Sequence, residues 1–177
     1  MKKSAVFVIG TFLLAGSISA AEYTPLFRDP MEKEVLWFKN PVCVKMNNGG
    51  GTHEFVDNGR NGKCLKVVTG DKQMFMYNTK TPIPIKNGAR IRVTFWAKGK
   101  GIVSLSPMGR TTAKKVVYLP EMPEKINADE WEKIIFFIVM KAPKDAVFKE
   151  LSLRMNIQKN SNLLIDDFCI ESEASAK

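Results

Sequence analysis

The stretch Arg90–Gly101, RIRVTFWAKGKG, decides the fold class. Ile91, Val93, Phe95 and Ala97 point one way, while Arg90, Arg92, Thr94, Trp96 and Lys98 point the other. Such period-two alternation marks a half-buried β-strand, one face in the core and one in water. The outward set is unusual, because a large ring stands between cations and a hydroxyl. Asn87-Gly88 is a strong turn just ahead of this strand. Gly99 and Gly101 are expected to close it.

Further strands follow on both sides. Upstream, Glu22–Pro41 is mixed and anchored by Leu36, Trp37 and Phe38, with Asn40-Pro41 as a turn. Val42–Met46 alternates, and Asn47–Gly62 is expected to be a glycine-rich loop carrying the lone His53. Cys64–Val68 and Gln73–Asn78 read as strands, and Pro82–Pro84 suits a sheet edge. Downstream, Ile102–Pro107 and Lys114–Leu119 are the next strands. Leu151, Leu153, Met155 and Ile157 alternate with Ser152, Arg154, Asn156 and Gln158. Leu163–Ile170 is the last strand, interrupted by Asp166 and Asp167, and the polar residues after Ile170 are expected to fray.

Asn127–Met140 is ambiguous by periodicity. Trp131, Ile134, Ile135 and Ile138 recur at helical spacing, yet Phe136, Phe137 and Val139 make the run apolar on every side. Its β-branched and aromatic content, and the strands around it, favour a buried strand with Trp131 in the core. Eight to ten short strands with no convincing helix point to an all-β, antiparallel sandwich or barrel.

Residues 1–21 have the pattern of a secretory signal peptide: Lys2-Lys3, an apolar run Ala5–Ala15, then small residues up to Ala21. The apolar run is too short to span a bilayer. Ser17 stands where a lipoprotein would carry cysteine after Leu14-Ala15-Gly16. A soluble periplasmic or extracellular protein is expected, with 22–177 as a single domain. The formal net charge of +9 either attracts anionic polysaccharide, lipopolysaccharide or nucleic acid through a sequence-independent field or simply keeps a small protein soluble, and the scatter of the lysines along the chain favours the second reading. No basic run resembles a nucleic-acid patch. Cys43, Cys64 and Cys169 match no zinc spacing and are expected to be buried thiols, with a Cys43–Cys64 bridge as the alternative.

Several segments together resemble one family. Gly62-Lys63-Cys64-Leu65-Lys66-Val67 precedes Ala89–Gly99, Trp131 opens an apolar strand, and Leu164-Ile165-Asp166-Asp167-Phe168 closes the domain. This order is similar to the galactose-binding-like jelly-roll carbohydrate-binding modules often attached to xylanases and glucanases, over residues 35–172. The resemblance implies two facing antiparallel sheets, glycan held on the concave sheet or at a loop edge, and often a calcium ion bracing the loops.

A lectin-like site needs an aromatic platform and planar polar groups for sugar hydroxyls. Trp96 and Arg92 share one face and meet that description. Arg154, Asn156 and Gln158 offer a second polar row, expected in the same sheet, with Phe75 and Tyr77 as neighbours. The alternatives are a Trp96 ring folded under a loop and solvated cross-strand arginines. Asp166 either joins backbone carbonyls of residues 57–63 around calcium, accepts backbone hydrogen bonds, or pairs with a lysine. No GxSxG, HExxH or phosphate-cradling loop is present, so no enzyme is expected. The expected function is a non-catalytic binder of polysaccharide or oligosaccharide, acidic sugars included. A protein-interaction module of the cell envelope is the alternative, and a small glycoside-active enzyme ranks below both.

Overall fold

The computed structural model describes residues 21–34, 36–41, 51–72, 74–144 and 146–174. The signal segment up to residue 20, the strand expected at 42–46 and Cys43 lie outside them. Eleven strands and no helical element order the described residues: β1 Tyr23–Asp29, β2 Trp37–Lys39, β3 Thr52–Val56, β4 Cys64–Val68, β5 Phe75–Thr79, β6 Ile83–Pro84, β7 Arg90–Thr111, β8 Val116–Tyr118, β9 Met122–Val139, β10 Phe148–Ile157 and β11 Asn162–Glu173. Every pairing among them is antiparallel.

The opening strand is longer than its glycines suggest. β7 does not stop at Gly99 and Gly101 but runs on to Thr111, a 22-residue strand that serves both halves of the fold. Its first half pairs with β11 on one edge and with the end of β9 on the other. Its second half pairs with β10 on one edge, and with β8 and the start of β9 on the other. β3–β4 extend the first half beyond β11, and β5–β2 extend the second beyond β10. The glycines serve this course in a different way. Gly99 has φ 112°, and a Cβ there would overlap the Asn162 carbonyl, while one at Gly101 would overlap Ser161. Side-chain-free backbone lets β11 start against the middle of β7.

Odd-numbered β7 residues face inward along the whole strand, from Ile91 to Leu105, and join one continuous core. The two halves meet there through rings. Trp37 of β2 packs edge-on against Phe168 of β11 at 4.8 Å and stacks on Tyr77 of β5 at 5.6 Å. Phe95 stacks on Phe168 at 5.6 Å. Each buried ring of this kind contributes about 1.5–3 kcal/mol, so the aromatic column is a main tie between the halves. Cys64 and Cys169 are free thiols, the first buried and the second half-buried; burial pushes the Cys64 thiol up to about 11.

Several sequence expectations are corrected. Asn127–Met140 lies mostly within the strand β9, but that strand is not buried on both faces. Its inward row is Ile134, Phe136 and Ile138, while Ile135, Phe137 and Val139 are 49%, 61% and 57% exposed. Among the described strands β9 pairs with β7 alone, so it forms a sheet edge whose outer face lacks a covering layer. Trp131 stands outside the core cluster. It falls in a bulge, where residues 129–131 sit between the Gly99–Ala128 and Ala97–Glu132 pairs. Residues 52–56 of the expected loop form β3, which holds His53 half-buried against Phe75 and Tyr77, at 5.1 and 5.9 Å. Burial holds that imidazole below its ordinary value. The tail beyond Ile170 stays in register with β1 as far as Glu173.

Candidate functional site

The predicted site residues fall in three places. Phe75 and Tyr77 face inward and are fully buried, so they line the core rather than a binding face. They belong to β5, whose outward residues are Met76 and Asn78. Trp96 and Arg92 share the outer face of the first half of β7. Arg154 and Asn156 face outward from β10, which pairs only with the second half of β7. Asn156 lies opposite Ser104, eight residues along β7 from Trp96, or about 26 Å of strand. Both sets stand on strands of one continuous sheet, far apart along β7. β7 passes from one half of the fold to the other at Gly99–Gly101 and carries the two sets apart.

On the first face, Trp96 is half-buried with the Arg60 guanidinium 3.7 Å over its ring. Arg60 also donates from Nη1 to Asp167 Oδ2 at 2.7 Å. The Asp166-Asp167 pair is accommodated by a bulge. Trp96 pairs with Asp166 and Thr94 with Cys169, so β11 holds one extra residue there. Asp167 takes φ 48°. Both carboxylates thereby avoid the core, to which Ile165 and Phe168 return. Asp166, only 2% exposed, accepts the Arg60 backbone N–H at 2.7 Å and the Asp167 N–H at 2.8 Å, one on each oxygen. Burial is the larger influence and holds its carboxyl above the ordinary value despite these two bonds. The loop expected to supply calcium ligands donates an N–H to Asp166 and a guanidinium to Asp167. Among the described residues no group of three or more His, Cys, Asp or Glu side chains gathers, and each Asp166 oxygen already accepts a backbone N–H.

Arg92 donates from Nε to Glu171 at 2.7 Å, and its guanidinium lies 3.9 Å over the Tyr23 ring. Arg92 and Trp96 border an open groove of about 460 Å³, with Thr94 between them and Arg28 and Lys133 also lining it.

The second face presents rows of side chains across the strands. Phe38, Asn78, Arg154 and Ser106 lie opposite one another on β2, β5, β10 and β7. In the next row Met76, Asn156 and Ser104 align. Asn156 Nδ2 donates to Ser106 Oγ and to Glu121 Oε1, each at 2.9 Å, and Asn40 donates to Asn78 Oδ1 at 3.3 Å. Asn156 Oδ1 and Arg154 Nε are buried and have no hydrogen-bond partner among the described residues. Beside them Tyr118 of β8 pairs with Met108, and it is 67% exposed. Residues directly opposite in an antiparallel pair share a face, so this open ring stands on the face of the polar rows, two strand spacings across and two residues along from Arg154, about 12 Å away. Tyr118 and Glu121 escaped the sequence reading. The alternation of β8 names Tyr118's side, but only the pairing with Met108 says what lies next to it.

No family model matches the sequence, and no curated protein matches it. Solved structures do. The CBM22-1–GH10 modules of Clostridium thermocellum endo-1,4-β-D-xylanase 10B, complexed with xylohexaose, superpose with a TM-score of 0.60 at 17% identity. The match covers 86% of this chain, which spans only 29% of that one. The CBM22-1 xylan-binding domain from Paenibacillus barcinonensis Xyn10C gives a TM-score of 0.62 at 12% identity, over 89% of this chain and 100% of that one. The C-terminal family 22 carbohydrate-binding module of the Clostridium enzyme gives 0.53 at 10% identity, over 86% and 96%. At these identities the likeness is one of fold: the chain has the antiparallel jelly-roll architecture of the family 22 carbohydrate-binding modules.

Proposed function

We propose that this chain is an exported, non-catalytic carbohydrate-binding protein, and that glycan lies across the outer face of β2–β5–β10–β7 beside Tyr118. The observation that carries this is a pair of buried, unpartnered polar groups, Arg154 Nε and Asn156 Oδ1, on successive outward positions of one strand next to an open ring. Buried donors and acceptors left without partners cost about 1–3 kcal/mol each, and natural structures rarely retain them without a reason. Sugar hydroxyls both donate and accept, so they suit the Arg154 guanidinium and the Asn156 amide, whose Nε and Oδ1 are closed to solvent and open to a hydroxyl only when neighbouring side chains shift. Tyr118 supplies the flat apolar surface that a sugar ring covers.

Catalysis finds little support on this face. Glu121 is held by Asn156, and Glu150 is engaged by Arg110 and Lys149. Asn156 and Glu150 are six residues apart on β10, about 20 Å of strand, whereas paired glycosidase carboxylates stand ~5–10 Å apart.

Xylohexaose is the first probe, because the structural neighbours include xylan-binding domains. Calorimetric titration should show binding that weakens about tenfold in Tyr118→Ala, the size expected for losing one ring contact. Arg154→Ala should lose binding with no fall in melting temperature, since it removes an unpartnered donor. If neither xylohexaose nor any sugar of a glycan array binds, or if both variants bind as the wild type does, the assignment fails. The exported form is checked by mass spectrometry, with a mature chain beginning at Ala21 or Glu22 expected. The rival protein-docking role draws on the exposed row Ile135, Phe137 and Val139. Retention of an envelope protein by the wild type and its loss in Phe137→Lys, without any glycan binding, would favour that role.

A further inference from the structure

We propose that the groove on the opposite face is a second binding site and takes an acidic sugar residue, the oxyanion held between Arg28 and Lys133 and the ring resting beside Trp96. The site lies outside the glycan face proposed above, on the other half of the fold. Its floor is Thr94 of β7 and Cys169 of β11, which pair directly. Arg28 of β1 stands across from Cys169 on the far side of that floor. Lys133 of β9 pairs with Trp96 on the near side. The two cations therefore approach the groove from opposite walls.

The walls carry Arg28, Arg92 and Lys133 against Asp29, Asp167 and Glu171, and the pairing among them is what favours an anion: Asp29 is buried and accepts the Met31 N–H. Arg92 and Arg60 are occupied by Glu171 and Asp167. Arg28 and Lys133 both line the groove and are exposed, and among the described residues neither has a carboxylate partner within ion-pair distance. Arg28 instead stands directly across from Cys169, whose thiol its charge helps to hold down against the effect of burial. Charge-assisted bonds to a carboxylate or sulfate are the strong ones available to such groups. A groove of about 460 Å³ falls in the range that holds small ligands. The ring selects a sugar over a bare ion, because Arg60 pins the Trp96 indole in place and keeps it beside the cations. The Thr94 hydroxyl, between Trp96 and Arg92 on the floor, is placed for a sugar hydroxyl.

Calorimetry with trigalacturonate, a sulfated disaccharide, xylohexaose and inorganic sulfate tests this on the full-length mature chain. Trigalacturonate or the sulfated sugar should bind, the preferred one identifying the oxyanion. Binding should weaken with added salt, and about tenfold in Lys133→Ala and in Arg28→Gln, the loss of one hydrogen bond to a charged group. Both residues are exposed, so unchanged melting temperatures should accompany that loss. Tyr118→Ala and Arg154→Ala should leave it intact. The proposal is overturned if the acidic sugars bind equally well to both cation variants, if they are lost in Tyr118→Ala, or if inorganic sulfate binds as tightly as they do. Xylohexaose binding that responds to Tyr118 but not to Lys133, with no acidic sugar bound, removes this second site and leaves the first standing.

Discussion

Asp166→Ala is the most informative substitution for the architecture of the Trp96 face. The wild-type carboxylate satisfies two backbone N–H groups, of Arg60 at 2.7 Å and Asp167 at 2.8 Å. Removing it leaves both donors without an acceptor, at about 1–3 kcal/mol each. The substitution also relieves the cost of burying the charge, which is what holds this carboxyl above its ordinary value. The net loss should be about 2–4 kcal/mol. For a chain of this size that is a fall in Tm of roughly 5–15 °C. Asp166→Asn should lie between, because its one carbonyl oxygen serves one donor and its NH2 faces the other. The pH dependence has a definite sign. A folded-state value raised above the unfolded 3.8 means the group's stabilisation is full below that pH and is lost as pH rises through the folded value. The penalty of Asp166→Ala should therefore be larger at low pH, below the folded value, than at neutral pH. Calorimetric melts across that range measure it, and amide exchange at Arg60 should quicken in the variant. A Tm change under about 2 °C with Arg60 still protected would refute the two-bond account. So would a comparable fall in wild-type Tm on adding EDTA, since a cation would then be holding the loop.

Three further outcomes follow from the structure. Tyr77→Phe should be neutral or slightly stabilising in urea melts, because the phenol oxygen is buried without a partner among the described residues; a loss above about 1 kcal/mol would reveal a hidden hydrogen bond. Gly99→Ala should cost at least about 2 kcal/mol, from its φ of 112° and the overlap with the Asn162 carbonyl, and a wild-type Tm would show that β7 and β11 can part at no cost. Burial depresses the His53 value, so its stabilisation holds above the ordinary 6.5 and fades as pH falls through the folded value. The fall in stability from neutral to mildly acid pH should accordingly be shallower in His53→Gln, and equal slopes would assign the effect elsewhere.

The alternation of Arg90–Gly101 was enough to name the fold class, because one buried face with period two has no other common structural solution. It also put Ile91, Val93, Phe95 and Ala97 in the core and Arg92 and Trp96 outside. Alternation says which residues share a side of one strand, but not which strands lie next to it. For that reason Phe75 and Tyr77 were misplaced: with apolar residues on both faces of β5, only its pairing with β10 and its stacking on Trp37 chose the inward row. For the same reason alternation alone groups Trp96 with Arg154, although the passage of β7 between the two halves separates them. Asp166 and Asp167 were legible as an anomaly, while the bulge and the guanidinium that resolve it depend on a loop 106 residues away. Tyr118 was invisible as a site because its significance lies wholly in what stands across from it. Local periodicity set the faces of each strand, since it depends only on backbone geometry. The neighbours of each face, and with them both candidate binding surfaces, depended on long-range register that only the folded chain contains.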